Sequence, residues 1–349
     1  MIVVMKKTNR LKRLKLYIFA ILLLCVIIPQ TIQAHAKPVT VYLGGFSAGF
    51  TIDTKGAEVI GLSEVVTDTG IKSPAKDTDI RIHDIILSLG GLETDEYEDI
   101  ESALKNCEGK ALDLSLKRND EIILKKITPA KDLSGKYKLG LLLRDKLTGI
   151  GTVTFIKDNL EFMALGHAVC GANEKPIEIS GGELYACSIF GIEKGNRGHV
   201  GELRGMFLND AKMGYIDHNL TVGITGRISK RFDLSKLGKI EVGDAHPGKA
   251  SLITTIDGII PEEFSISIAK VDNQKKDNRN YVIVVTDDKL LEVAGGIVQG
   301  MSGSPIIQDG KIVGAVTHVF VSDPTRGFGI SIQKMLLICM ACFKIQKLN

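Results

Sequence analysis

Glycine is the strongest constraint on what this chain can fold into. Thirty-seven glycines are spread over 349 residues. They cut the apolar sequence into short runs rich in Val, Ile and Thr. Such runs suit strands better than helices, and glycine supplies the turns between them. There is no tryptophan and only 5% aromatic residues, while hydrophobic residues reach 44%. A chain of this kind can bury a core, and its period favours a mainly β sandwich or barrel.

Residues 38–130 read as one small module. Val39 to Leu43, Glu58 to Leu62 and Asp84 to Leu89 are strands. A helix follows near Asp95 to Cys107, where Ile100, Ala103, Leu104 and Cys107 fall at i, i+3, i+4 and i+7 and Gly109 ends the pattern. Alternation in Leu112, Leu114 and Leu116 gives a half-buried strand, and Asn119-Asp120 turns it into Ile122 to Ile127. This order of elements is that of a PDZ-like domain. A polar connector, Pro129 to Gly135, leads into a second, mostly β domain over 136–335, and 336–349 is left as a C-terminal tail.

The first 36 residues have a different character. Lys6, Lys7, Arg10, Lys12, Arg13 and Lys15 precede an apolar run from Leu16 to Ile28, and Ala34-His35-Ala36 offers small residues at a cleavage spacing. The pattern is that of a secretory signal, or of an uncleaved N-terminal anchor. The apolar run is shorter than the roughly 20 residues a spanning helix uses. Removing this segment turns the formal charge of +3 slightly negative, which argues against nucleic-acid binding. Apart from Cys25, five cysteines remain, too sparse for a disulfide scaffold. The Cys339-x-x-Cys342 pair reads as buried thiols, and neither a metal site nor a cofactor is expected.

The residues suited to chemistry are few. Gly300-Met301-Ser302-Gly303-Ser304-Pro305 places a serine in a tight glycine-flanked turn before a hairpin. Glycines let such a turn aim amides at one point, so the backbone N–H groups of Gly300 and Ser302 are candidates for an oxyanion hole. A serine needs a base. His167, in Ala164-Leu165-Gly166-His167 at a strand end, is the best candidate, and His318 within an apolar strand is the rival. A third group should orient the base. Asp287 and Asp288 both follow the strand Tyr281 to Val285, and the residues alone do not choose between them.

The run Ile297 to Gln308, followed by Gly314 to Val321 and Asp323-Pro324-Thr325, resembles the SpoIVB peptidase family (stage IV sporulation protein B). Gly135 to Gly151, Ala164 to His167, and Gly181-Gly182-Glu183 through Gly195 fit the same pattern. The resemblance implies a PDZ domain followed by a trypsin-like serine peptidase domain of double β-barrel type. It puts the catalytic histidine on His167, the serine on Ser302 and the aspartate on Asp287. It further implies an endospore former, and export across the forespore membrane into the space between two membranes. The implied partner there is a regulatory membrane protein that inhibits an intramembrane metalloprotease acting on a late sigma factor precursor; self-cleavage is also implied. Gly44 to Phe50 matches the family's opening, so Ser47, Ala48, Gly49 and Phe50 are expected to bind a peptide carboxylate in the PDZ module.

The sequence departs from the family in places. Cys170 and Gly171 stand where a small hydroxyl residue and an aspartate are usual, and Asp79 and His83 replace two turn glycines. These departures motivate a second reading, a catalytically inactive PDZ adaptor.

Overall fold

The computed structural model describes residues 38–171 and 174–346; the signal or anchor expected over 1–36 lies outside them. From Thr40 onward the chain forms one compact unit. It is built of two closed β-barrels, a PDZ-like module and a C-terminal helix.

The first barrel closes with six antiparallel strands. The N-terminal half of Ser47–Leu62 pairs with the C-terminal half of Leu141–Ile156. Pairing then runs through Glu161–Ala164, Gly223–Ile228, Glu202–Leu220 and Ile179–Glu193, which returns to residues 48–54. The second barrel repeats the plan with Gly248–Thr254, Glu262–Val271, Tyr281–Val285, Asp323–Ser331, Lys311–Phe320 and Pro305–Gln308. Closure removes the unpaired edges that short strands would otherwise expose. Each barrel has its own core: Ile52, Ile156, Phe162 and Ile224 in the first, Phe264, Ile266, Ile283 and Val316 in the second. The expected double β-barrel architecture is present.

The PDZ-like module is inserted into the first barrel rather than placed before it. Strand Ser47–Leu62 runs out of the barrel and its far end joins the module sheet, pairing with Ile85–Leu89. Strand Leu141–Ile156 returns alongside it, with Leu141 opposite Leu62 and Thr152 opposite Ser47. The boundary expected at residue 38 therefore moves. Residues 47–54 belong to the barrel because both neighbours of Ala48 to Asp53 are barrel strands, and Thr40–Leu43 pairs with the end of the same returning strand. The module core gathers Val59, Ile86, Leu114 and Leu116 under the helix Tyr97–Asn106. That helix buries Ile100, Ala103 and Leu104 as its periodicity predicts, and Asp99 accepts the Glu96 amide at 2.9 Å to cap its start.

The segment expected as a tail is a structural element. Helix Ile332–Gln346 buries Met335, Leu336, Cys339 and Phe343. They pack against Phe155 and Met163 of the first barrel and Ile312 and Ile330 of the second. The helix fills the seam where the two barrels meet. Cys339 is fully buried beside the Thr225 hydroxyl at 3.8 Å, and no described cysteine is in a disulfide.

Candidate active site

The Ser302 loop and the His167 loop are seated on each other across the barrel seam. Strand Glu161–Ala164 ends in Leu165 and Gly166, both with φ of 72°. Leu165 in this left-handed region is strained by about 1–3 kcal/mol, a cost typically found at functional sites. On the facing loop Gly303 has φ of 93°, and a Cβ there would lie 2.2 Å from the Thr152 carbonyl oxygen and 2.5 Å from the Leu165 amide. Only glycine permits that approach. The result brings Ser302, His167, Thr317 and His318 into one cluster.

Within the cluster the Ser302 hydroxyl donates to the Thr317 carbonyl at 2.9 Å. His167 Nδ1–H donates to the Ala168 carbonyl at 2.9 Å, which leaves Nε2 as the basic nitrogen. Burial lowers the His167 pKa, opposed by the Ala168 carbonyl. The His318 ring stands 5.0 Å from the His167 ring, tilted by 37°; burial and then His167 lower its pKa too. Among the described residues no hydrogen bond joins Ser302 to His167; for the two to bond, the serine side chain must rotate away from Thr317.

The structure does not bring Asp287 to this cluster. It is the N-cap of the helix Asp288–Ala294, where its Oδ1 accepts the Leu290 amide and its Oδ2 the Ser265 amide, each at 3.1 Å. The expected orienting contact with His167 is replaced by two capping bonds, and the tautomer-fixing partner of His167 is the Ala168 carbonyl instead. Asp288, the alternative, is exposed in the first turn of the same helix.

Gly300 has φ of 95°, and the amides of Gly300 and Ser302 donate to no acceptor among the described residues. The loop around them is held by its other groups. Leu203 N–H donates to the Gln299 carbonyl at 2.9 Å, and Gln299 N–H to the Gly201 carbonyl at 2.8 Å. Thr152 and Thr154, on the returning strand, bind the Gly300, Ser302 and Gly303 carbonyls. Behind His167, Asn219 accepts from Val169 N–H and donates to the Val169 and Ile177 carbonyls, so the segment carrying Cys170 and Gly171 is held without the usual aspartate. Sequence reasoning missed these three residues. The signal for the threonines was their i, i+2 spacing within an apolar strand, which puts both hydroxyls on one buried face.

The peptide-binding expectation for Ser47, Ala48, Gly49 and Phe50 is overturned. Ala48, Gly49 and Phe50 pair with residues 149–151 on one side and 184–186 on the other, and the Ser47 amide donates to the Thr255 hydroxyl. Their amides are used within the barrel. The groove of the module lies elsewhere, a cavity of about 560 Å³ between Tyr97, Ile100 and Leu104 of the helix and the Lys138 to Leu143 segment.

Two six-stranded antiparallel barrels, with a glycine-flanked serine on one and a histidine on the other meeting at the seam, define a serine peptidase of trypsin-like architecture carrying a PDZ-like module. The chain belongs to the SpoIVB peptidase S55 family, which matches residues 135–336. Among solved structures it is similar to the PDZ domain of the SdrC-like protein from Listeria monocytogenes, at 22% identity over 26% of this chain and 90% of that one, with a TM-score of 0.21. It is also similar to the Rv3671c protease from M. tuberculosis. The active form matches at 13% identity over 54% of this chain and 72% of that one, with a TM-score of 0.32. The inactive form matches at 14% identity over 53% and 79%, with a TM-score of 0.30.

Proposed function

We propose that Ser302 is the nucleophile and His167 the general base of an exported serine endopeptidase in sporulation signalling. The observation that carries this reading is the seating of the two loops, with the serine hydroxyl on Thr317 and the His167 ring against His318, the next residue. Turned toward His167, Oγ gives its proton to Nε2 as it bonds to the scissile carbonyl carbon. The amides of Gly300 and Ser302 receive the oxyanion. Nε2–H then protonates the leaving amine, and water attacks the acyl-enzyme by the same proton route.

The substrate is a protein. In this reading it is a membrane-anchored regulator that holds an intramembrane metalloprotease in check, together with the chain itself. The place of action is the space between the two forespore membranes, reached through the segment 1–36.

The inactive-adaptor reading has two observations in its favour. Ser302 is bonded to a carbonyl, and Asp287 is occupied as a helix cap. A fluorophosphonate probe separates the two. Labelling of the wild-type chain, lost in Ser302→Ala and in His167→Ala, supports the peptidase. A folded wild-type chain that never labels and never cuts itself leaves the adaptor.

A further inference from the structure

Three carbonyls of the nucleophile loop are held by one strand of the other barrel. Thr152 Oγ1–H donates to the Gly300 carbonyl at 3.0 Å, Thr152 N–H to the Ser302 carbonyl at 3.0 Å, and Thr154 Oγ1–H to the Gly303 carbonyl at 2.7 Å. Both threonines are fully buried. Thr152 is itself braced, because the buried Ser304 hydroxyl lies 3.3 Å from its Oγ1 and 3.0 Å from that of Thr254.

None of these hydroxyls is needed to build the barrel. The strand is closed by its backbone ladder, and an apolar β-branched residue would fill the same space. The hydroxyls matter for the direction of the loop. The peptide plane between Gly300 and Met301 lies between the two amides assigned to the oxyanion. Gly300 is in the left-handed region at φ of 95°, where glycine moves freely, so its carbonyl needs an external partner to keep one orientation. A free rotation of that plane would carry the carbonyl oxygen toward the oxyanion position and misalign the donors.

We infer that Thr152 is a positioning residue for the oxyanion hole: its hydroxyl fixes the Gly300 carbonyl and thereby aims the Gly300 and Ser302 amides. Thr154 anchors the next turn of the same loop. The inference rests on the peptidase reading of Ser302, and a measurement independent of catalysis separates the two.

The test uses the full chain with Thr152→Val, which removes the hydroxyl and keeps the shape, and Thr152→Ser, which keeps the hydroxyl. With a fluorophosphonate probe, Thr152→Val is expected to lower the second-order labelling rate about 10²-fold, in the range found when an oxyanion donor is lost. Thr152→Ser should restore it to within about three-fold, at similar melting temperatures. Undiminished labelling in Thr152→Val overturns the inference. So does an equal loss in both variants. The second readout is the amide resonances of Gly300 and Ser302. They should shift in Thr152→Val and return in Thr152→Ser even if the wild type proves catalytically silent; amides that do not move overturn the inference.

Discussion

Asp287 shows how one residue type can serve two chemistries that look alike in a sequence. A carboxylate after a strand and before a helix is the pattern of an N-cap, and it is equally the pattern expected of a triad member. Its two capping bonds lead to a sharp expectation. Asp287→Asn preserves a capping oxygen and should keep fluorophosphonate labelling within about three-fold, whereas loss of a triad aspartate costs about 10⁴. Asp287→Ala should lower stability by about 1 kcal/mol in urea unfolding. His167 carries a pH prediction. Burial depresses its pKa, so it is neutral and able to accept a proton at lower pH than an ordinary imidazole. The labelling rate should rise through a midpoint below about 6.5, the ordinary value, and then level off; a midpoint above 7 contradicts the burial argument. The same shift acts on stability. The unfolded chain binds this proton more readily than the folded one, so the contribution is complete above about pH 6.5 and declines as pH falls toward the folded value. That the His167 and Ser302 loops form one candidate site was legible in part, because each residue sits in a glycine-bearing turn at the end or start of a strand. Thr152, Thr154 and Asn219 were not, because a buried hydroxyl or amide announces itself only once its acceptor, far away in the chain, is known.

At the scale of elements, the module keeps its turn without the usual glycines. Asp79 and His83 occupy the left-handed region at φ of 53° and 73°. An ion-pair network holds the turn: Asp84, almost fully buried, takes Arg118 at 2.7 Å and 2.8 Å and also accepts the Arg81 amide. Removing one partner of a buried pair costs more than the pair itself contributes. Asp84→Ala should therefore destabilise the chain by about 3 kcal/mol, measured by denaturant unfolding. The helix Ile332–Gln346 is a contrasting case. The module helix was readable from its 3.6-residue apolar stripe, but the C-terminal helix is apolar over most of its surface and shows no such stripe. The seam between two barrels explains its buried residues, while Leu337 and Met340 remain exposed. Met335 is fully buried there, and Met335→Ala should cost about 2–4 kcal/mol, again readable by unfolding.

At the scale of the whole molecule, strand content was legible from glycine spacing, while the path of the chain was not. Local pattern cannot reveal that Ser47–Leu62 is one strand shared by two domains, because its barrel half takes its register from partners more than 90 residues away. The pairing of Thr51 with Thr148 must await the intervening module, so barrel closure carries a long loop and should be slow. The arrangement also predicts that the module can be removed. Lys146 lies opposite Asp53, so replacing residues 54–145 with an Asn-Gly hairpin turn should leave a folded barrel pair that still labels at Ser302. An unfolded product would show that the module is part of the peptidase core.

Both strands that enter and leave the module remain stitched into the barrel ladder, like the two rails of a gangway. A cut anywhere between residues 63 and 140 would leave the two flanking strands paired in register beside each other. Such a nicked chain should migrate as two fragments after denaturation and as one particle before it. A chain of this design can therefore be severed within its own appendage and still hold its serine in place.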